Sequence, residues 1–150
     1  GELTEARTSK GAFFDFGQTP LIASIEQRIA TLVNWPVENG EGMQVLSYVA
    51  GQEYIPHHDW FDPSFAGNQR VIERGGNRVG TFLIYLKTPE EGGDTTFNDV
   101  GLSVRPQKGN AVLFSYEIPH ASTLTLHAGA PVISGEKVVA TKWLRERKFK

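Results

Sequence analysis

Tyr54-Ile55-Pro56-His57-His58-Asp59 is the stretch on which the reading of this chain turns. In an extended segment, residues two apart project to the same side. His57 and Asp59 therefore share one face, and His58 takes the other. An imidazole and a carboxylate side by side are two of the three ligands of a facial triad, a donor set that leaves coordination positions open on a non-haem iron(II) centre. Alone, the tripeptide is more often a surface histidine beside a solvated aspartate, so its surroundings must decide.

The third ligand has two candidates, His120 and His127. His127 follows the strand-like Leu124-Thr125-Leu126 and precedes the tight turn Ala128-Gly129-Ala130-Pro131. A ligand at a strand end is well fixed, which favours His127. His120 follows a proline in a less regular stretch.

Outward from these motifs, one helix is evident. Thr19 suits an N-cap, Pro20 the first helical position, and Ile22, Ile25, Ile29 and Leu32 recur at helical spacing. Glu26, Gln27 and Arg28 fall between them, so one face should lie on a sheet. After Gly42 the texture changes to short strand-like runs at 43–48, 79–86, 111–115, 124–126 and 138–144, separated by turn-rich segments. Short strands after a helix predict a mainly β fold with flanking helices, a sandwich or barrel. The polar segment 62–77 is long for a connection and marks a lid or substrate loop.

The 150 residues suit one domain, 1–150, with a real core. A net charge of −2 gives no bulk support to polyanion binding, so neither nucleic acid nor membrane is an expected partner. The one basic cluster, Arg145, Arg147, Lys148 and Lys150, reads as a solvated terminus. The absence of cysteine excludes disulfides, thiolate metal sites and cysteine nucleophiles, and fits a reducing, cytoplasmic compartment. No apolar run is long enough to span a membrane, and no signal peptide is visible. The chain starts at Gly1 rather than Met, so an N-terminal segment is expected to be missing.

Further motifs give the pattern its specificity: Gln44-Val45-Leu46-Ser47-Tyr48, Gly51-Gln52-Glu53, Asn77-Arg78-Val79, Leu83-Ile84-Tyr85-Leu86, Glu91-Gly92-Gly93-Asp94-Thr95, Val104-Arg105-Pro106-Gln107-Lys108-Gly109, and His127-Ala128-Gly129-Ala130-Pro131-Val132 running on to Gly135-Glu136-Lys137 and Lys142-Trp143. In this order they resemble the catalytic domain of collagen-type prolyl 4-hydroxylases over roughly residues 11–147, in the branch with plant, algal and bacterial members. The resemblance implies a double-stranded β-helix (jelly-roll, cupin-like) core and Fe(II)- and 2-oxoglutarate-dependent hydroxylation of peptidyl proline by O2, releasing succinate and CO2. L-Ascorbate is a further expected cofactor, a proline-containing peptide or protein the expected partner, and a homodimer the expected assembly. The same chemistry on free proline, a lysyl residue or a small molecule is the alternative, as is a non-catalytic binding or sensing protein.

Carried over residue by residue, the resemblance implies iron on His57, Asp59 and His127. It also implies a 2-oxoglutarate-anchoring lysine at Lys137, ten positions after His127, where His120 has no counterpart. An ammonium on a flexible stem suits the distal carboxylate. Tyr48 and Thr95 are similar to the hydroxyl donors to that carboxylate. Tyr54, Arg78, Trp143 and, more loosely, Glu41 match positions along the peptide groove. Ala130 stands where the family commonly has cysteine. Arg145 stands where it often has a substrate-side histidine, which bears on substrate preference. The helix and strands that usually precede the segment at Gly11 are absent from this sequence.

Overall fold

The computed structural model describes residues 7–150; the first six residues of the expected 1–150 domain lie outside the described residues. The chain runs β1 (Lys10–Phe14), α1 (Pro20–Val33), β2 (Met43–Val49), β3 (Tyr54–His57), α2 (Gln69–Glu73), β4 (Arg78–Lys87), β5 (Glu91–Gly92), β6 (Thr95–Phe97), β7 (Leu102–Val104), β8 (Ala111–Ser115), β9 (His127–Gly129), β10 (Val132–Ser134) and β11 (Glu136–Arg145). The larger sheet has the order β1-β2-β11-β4-β8, the smaller β3-β9-β6-β7, and β10 pairs with β5. Every pairing is antiparallel. The mainly β architecture with flanking helices is the one expected.

Period-2 alternation sorts the larger sheet into two faces. Met43, Phe82 and Ala140 point outward and bury Ile29 of α1, with Ile25, Val33, Val45 and Ile84 around them. Leu46, Tyr48, Tyr85 and Val139 point inward and pack with Val132 of β10. The inward face is the one that matters for function, because the smaller sheet supplies residues to the same cavity.

The helix starts as its sequence requires. The Thr19 hydroxyl accepts from the Ile22 amide at 3.2 Å, and Pro20 opens the first turn. Its buried stripe differs from the expected one. Leu32 is 72% exposed, whereas Glu26 is buried at 1%. The reason is a partner from the sheet: Lys142 Nζ lies 2.7 Å from a Glu26 oxygen, and the Gly17 amide donates to the other at 2.9 Å.

Three further expectations are corrected. Residues 124–126 form no strand. A 3-10 turn at Ala121–Thr123 ends at Leu124, which has φ 56°. The His120 ring and the Thr123 hydroxyl bond to nearby backbone there, and such local bonds compete with strand pairing. Residues 62–77 are not a plain loop, since they carry a 3-10 turn (Ala66–Asn68) and α2. The second half of that segment is tied to the C-terminal tail, with Arg147 N on Gly75 O at 2.8 Å and Lys150 N on Arg74 O at 2.9 Å. Arg145 is not solvated; it is fully buried. Its guanidinium pairs with Glu41 at 2.8 Å and donates to the Val71 carbonyl. Among the described residues, no helix is long and apolar enough to cross a membrane.

Candidate metal and cosubstrate site

His57 and His127 are direct register partners in the pairing of β3 with β9. The two rings therefore meet, with centroids 4.3 Å apart. Asp59 follows just beyond β3, as the two-residue spacing requires, and is 8% exposed. Its Oδ1 lies 3.3 Å from His57 Nε2 and 3.4 Å from His127 Nε2.

The protons on both imidazoles are set by backbone. His57 Nδ1 sits 2.8 Å from the Ile55 carbonyl, and His127 Nδ1 sits 2.8 Å from the Thr125 carbonyl. A carbonyl only accepts, so each Nδ1 carries hydrogen, which leaves Nε2 as the ring atom turned toward Asp59 and available to a metal. Ligand atoms of the three residues lie within 4.8 Å of one another. Burial pushes the Asp59 carboxyl up, but the two imidazoles outweigh it and hold it well below the usual range. The donor set is thus two imidazole nitrogens and one carboxylate oxygen, which fits ferrous iron. The other carboxylate oxygen, Oδ2, accepts from Thr81 Oγ1 at 2.7 Å and from Trp143 Nε1 at 3.1 Å.

Deeper in the cavity, Lys137 projects from β11 and is 4% exposed. Its ammonium donates to the Gly93 carbonyl at 2.6 Å. Gly93 has φ 79°, and a Cβ there would crowd the Lys137 stem, so glycine permits the approach. Among the described residues no carboxylate forms an ion pair with Lys137. Burial drives its pKa down to about 8. A buried ammonium without a counter-anion is costly, and it fits an anionic ligand that completes the site.

Tyr48 and Thr95 line the same cavity. Burial raises Tyr48 to about 12, so its hydroxyl stays a donor. Thr95 Oγ1 accepts from the buried Tyr85 hydroxyl at 2.7 Å. With that oxygen occupied, the Thr95 proton is free to point into the cavity.

Tyr54 and Trp143 also line the cavity, whereas Glu41 and Arg78 do not. The Tyr54 ring stacks on His57, centroids 3.7 Å apart and 17° from parallel. Arg78 stacks over the Trp143 ring at 3.8 Å and reaches the Asp59 carbonyl at 3.3 Å. Glu41 holds Arg78 through two bonds, 2.7 and 2.9 Å, and holds Arg145 as well. Of the other histidines, His58 stacks on Trp60 and His120 caps its own turn. Sequence reading passed over Thr81, Tyr85 and Tyr116. The alternation of β4 placed Thr81 and Tyr85 on the inward face, and that was the available signal for these two.

This geometry defines a two-sheet β protein in which a His-Asp-His donor set and a buried lysine line one cavity. Residues 43–145 match the model of the 2OG-Fe(II) oxygenase superfamily, and the chain belongs to that family. Among its relatives, prolyl 4-hydroxylase 1 of Arabidopsis thaliana is 42% identical over 164 residues, covering 98% of this chain and 56% of that protein. Probable prolyl 4-hydroxylase 8 of the same plant is 40% identical, covering 97% and 56%. The chain spans about half the length of the curated relatives it matches. The viral collagen prolyl hydroxylase of Paramecium Bursaria Chlorella virus-1, solved as a 2OG complex, superposes with TM-score 0.77 at 32% identity. That match covers 93% of this chain and 80% of the viral one. A Pseudomonas putida prolyl-4-hydroxylase shares the fold, with TM-score 0.64 and 22% identity over 95% of this chain and 74% of that one.

Proposed function

We propose that this chain is a Fe(II)- and 2-oxoglutarate-dependent dioxygenase that hydroxylates proline in peptides. One observation carries the reading: a buried lysine with no carboxylate ion-paired to it shares a cavity with a His-Asp-His donor set. His57, Asp59 and His127 would hold the iron, and Lys137 would pair with the distal carboxylate of 2-oxoglutarate, assisted by Tyr48 and Thr95. Iron and 2-oxoglutarate, when bound, supply the activation of dioxygen, with succinate and CO2 as co-products. The chain's own residues bind, orient and exclude water. Lys137 neutralises the cosubstrate in a dry pocket, where a charge-assisted bond is strong. The two Nδ1–H bonds to backbone fix the ring planes of His57 and His127.

Peptidyl proline is favoured by the names of the relatives and by the aromatic mouth. Tyr54 and Trp143 offer flat apolar walls, which suit a rigid pyrrolidine ring. Glu41 and Arg78 serve that mouth from behind, holding Trp143 in place.

The test is mass-spectrometric detection of one added oxygen on a panel of proline-containing peptides, free proline and lysyl peptides. Assays contain iron(II) and ascorbate, with and without 2-oxoglutarate. Oxygen added to peptidyl proline only when 2-oxoglutarate is present is the expected result. Turnover confined to free proline or lysine would overturn the substrate assignment, and near-full succinate release by His57→Ala or Asp59→Ala would overturn the triad.

A further inference from the structure

A carboxylate can give a metal one oxygen or two. At Asp59 the two oxygens have different surroundings. Oδ1 faces the Nε2 atoms of both histidines, while Oδ2 accepts from Thr81 and Trp143. We propose that Thr81 and Tyr116 are positioning residues that confine Asp59 to ligation through one oxygen, by fixing a one-way chain of hydroxyl protons onto Oδ2. The proposal rests on the reading that His57, Asp59 and His127 hold a divalent ion.

The direction of each proton follows from the inventory of donors. An ionised carboxylate has no proton to give, so Thr81 donates to Asp59. Thr81 has only one hydroxyl proton. Its contact with the Tyr116 hydroxyl at 2.7 Å must therefore be donated by Tyr116. The order is Tyr116 to Thr81 to Asp59. Thr81 is 2% exposed and Tyr116 1%, so water does not compete for either bond.

The sheet register explains why these groups converge. Thr81 and Trp143 are direct partners in the pairing of β4 with β11, which brings two donors onto one oxygen. Tyr116 lies just past β8, and its amide bonds to the Val79 carbonyl at 2.9 Å, carrying the pairing far enough to bring its ring beside Thr81. The larger sheet thereby grips a ligand that the smaller sheet carries. With Oδ2 engaged, a bound ion takes only Oδ1, and one more coordination position stays open for small molecules.

The experiment is anaerobic titration of the full chain with Co(II) alone, read by visible absorption and by affinity. Thr81→Val removes the donor at nearly constant volume. It is expected to weaken Co(II) binding about 10- to 100-fold and to change the absorption band. Thr81→Ser restores the donor and is expected to bind as the unaltered chain does. Tyr116→Phe is expected to weaken binding in the same direction, by a smaller factor. Unaltered affinity and band in Thr81→Val would overturn the proposal. Should Thr81→Val fail to fold, Tyr116→Phe decides, and wild-type binding there overturns the relay. Failure of the underlying reading has a separate signature: the unaltered chain takes up no Co(II), or His57→Ala binds it equally well. Either result removes the proposal with it.

Discussion

Tyr85 donates its phenolic proton to Oγ1 of Thr95 at 2.7 Å, in a place where both residues are buried. The bond occupies the threonine oxygen and turns its own proton toward the cavity. Tyr85→Phe releases that constraint while keeping the ring. The loss of one hydrogen bond is worth about 1 kcal/mol, or roughly fivefold in affinity. The 2-oxoglutarate requirement should rise by that factor in an anaerobic cosubstrate titration, and more in Thr95→Val. An unchanged requirement in both would remove Thr95 from the cosubstrate pocket.

Lys137 should destabilise the ligand-free protein. Its pKa falls from 10.5 in the open chain to about 8 in the fold because burial disfavours the ammonium. Between those values the unfolded chain holds more protons, so stability rises with pH across the window from about 8 to 10.5. Below it the cost is fully present, on the order of 3 kcal/mol. Lys137→Met should therefore raise the melting temperature at neutral pH while abolishing 2-oxoglutarate binding. In the unaltered chain, cosubstrate affinity should decline as pH passes 8. A less stable Lys137→Met variant would contradict the idea of an uncompensated ammonium.

Glu41 is expected to act chiefly on stability. It is the carboxylate shared by Arg78 and Arg145, and burial pushes its pKa up less than the two guanidinium groups pull it down. Glu41→Gln removes the carboxylate that both buried cations share. Breaking a buried pair in this way costs about 3–5 kcal/mol. Urea denaturation should show a loss of that order. A loss below about 1 kcal/mol, the size of a surface ion pair, would mean that the cluster is solvent-screened.

Arg145→His tests whether this position selects substrate or holds structure. Arg145 is fully buried, and its guanidinium reaches Glu41 and the Val71 carbonyl. The imidazole is too short to make both contacts. Faster hydrogen exchange across residues 69–77 is expected, with the order of preference among peptide substrates unchanged. A changed substrate order with unaltered exchange would return Arg145 to the groove.

Much of this was legible in the chain because it depends on local spacing. The start of α1 follows from Thr19 and Pro20, whose preferences act within one turn. The common face of His57 and Asp59 follows from strand alternation. Leu32 and Glu26 show the limit of such reasoning. A helical wheel assigns leucine inward and glutamate outward, yet Lys142 projects from the sheet face that α1 covers and pairs with Glu26. Arg145 failed for the same reason, since a basic residue near a terminus reads as solvated until Glu41 is brought to it. The segment 124–126 was misread because its apolar residues fit a strand while local bonds after His120 favoured a turn.

By itself, then, the sequence determined the β character, the helix start, the pairing of one histidine with one aspartate and, through its likeness to a family, the lysine ten residues beyond the last histidine. Only the tertiary structure decided which groups act together. His57 meets His127 because β3 and β9 pair in that register. Thr81 and Trp143 share one oxygen of Asp59 because β4 and β11 pair in theirs. Alternation along a strand is set by the backbone of that strand alone. Register between strands distant in the chain is set by packing of the whole core, and no local pattern encodes it.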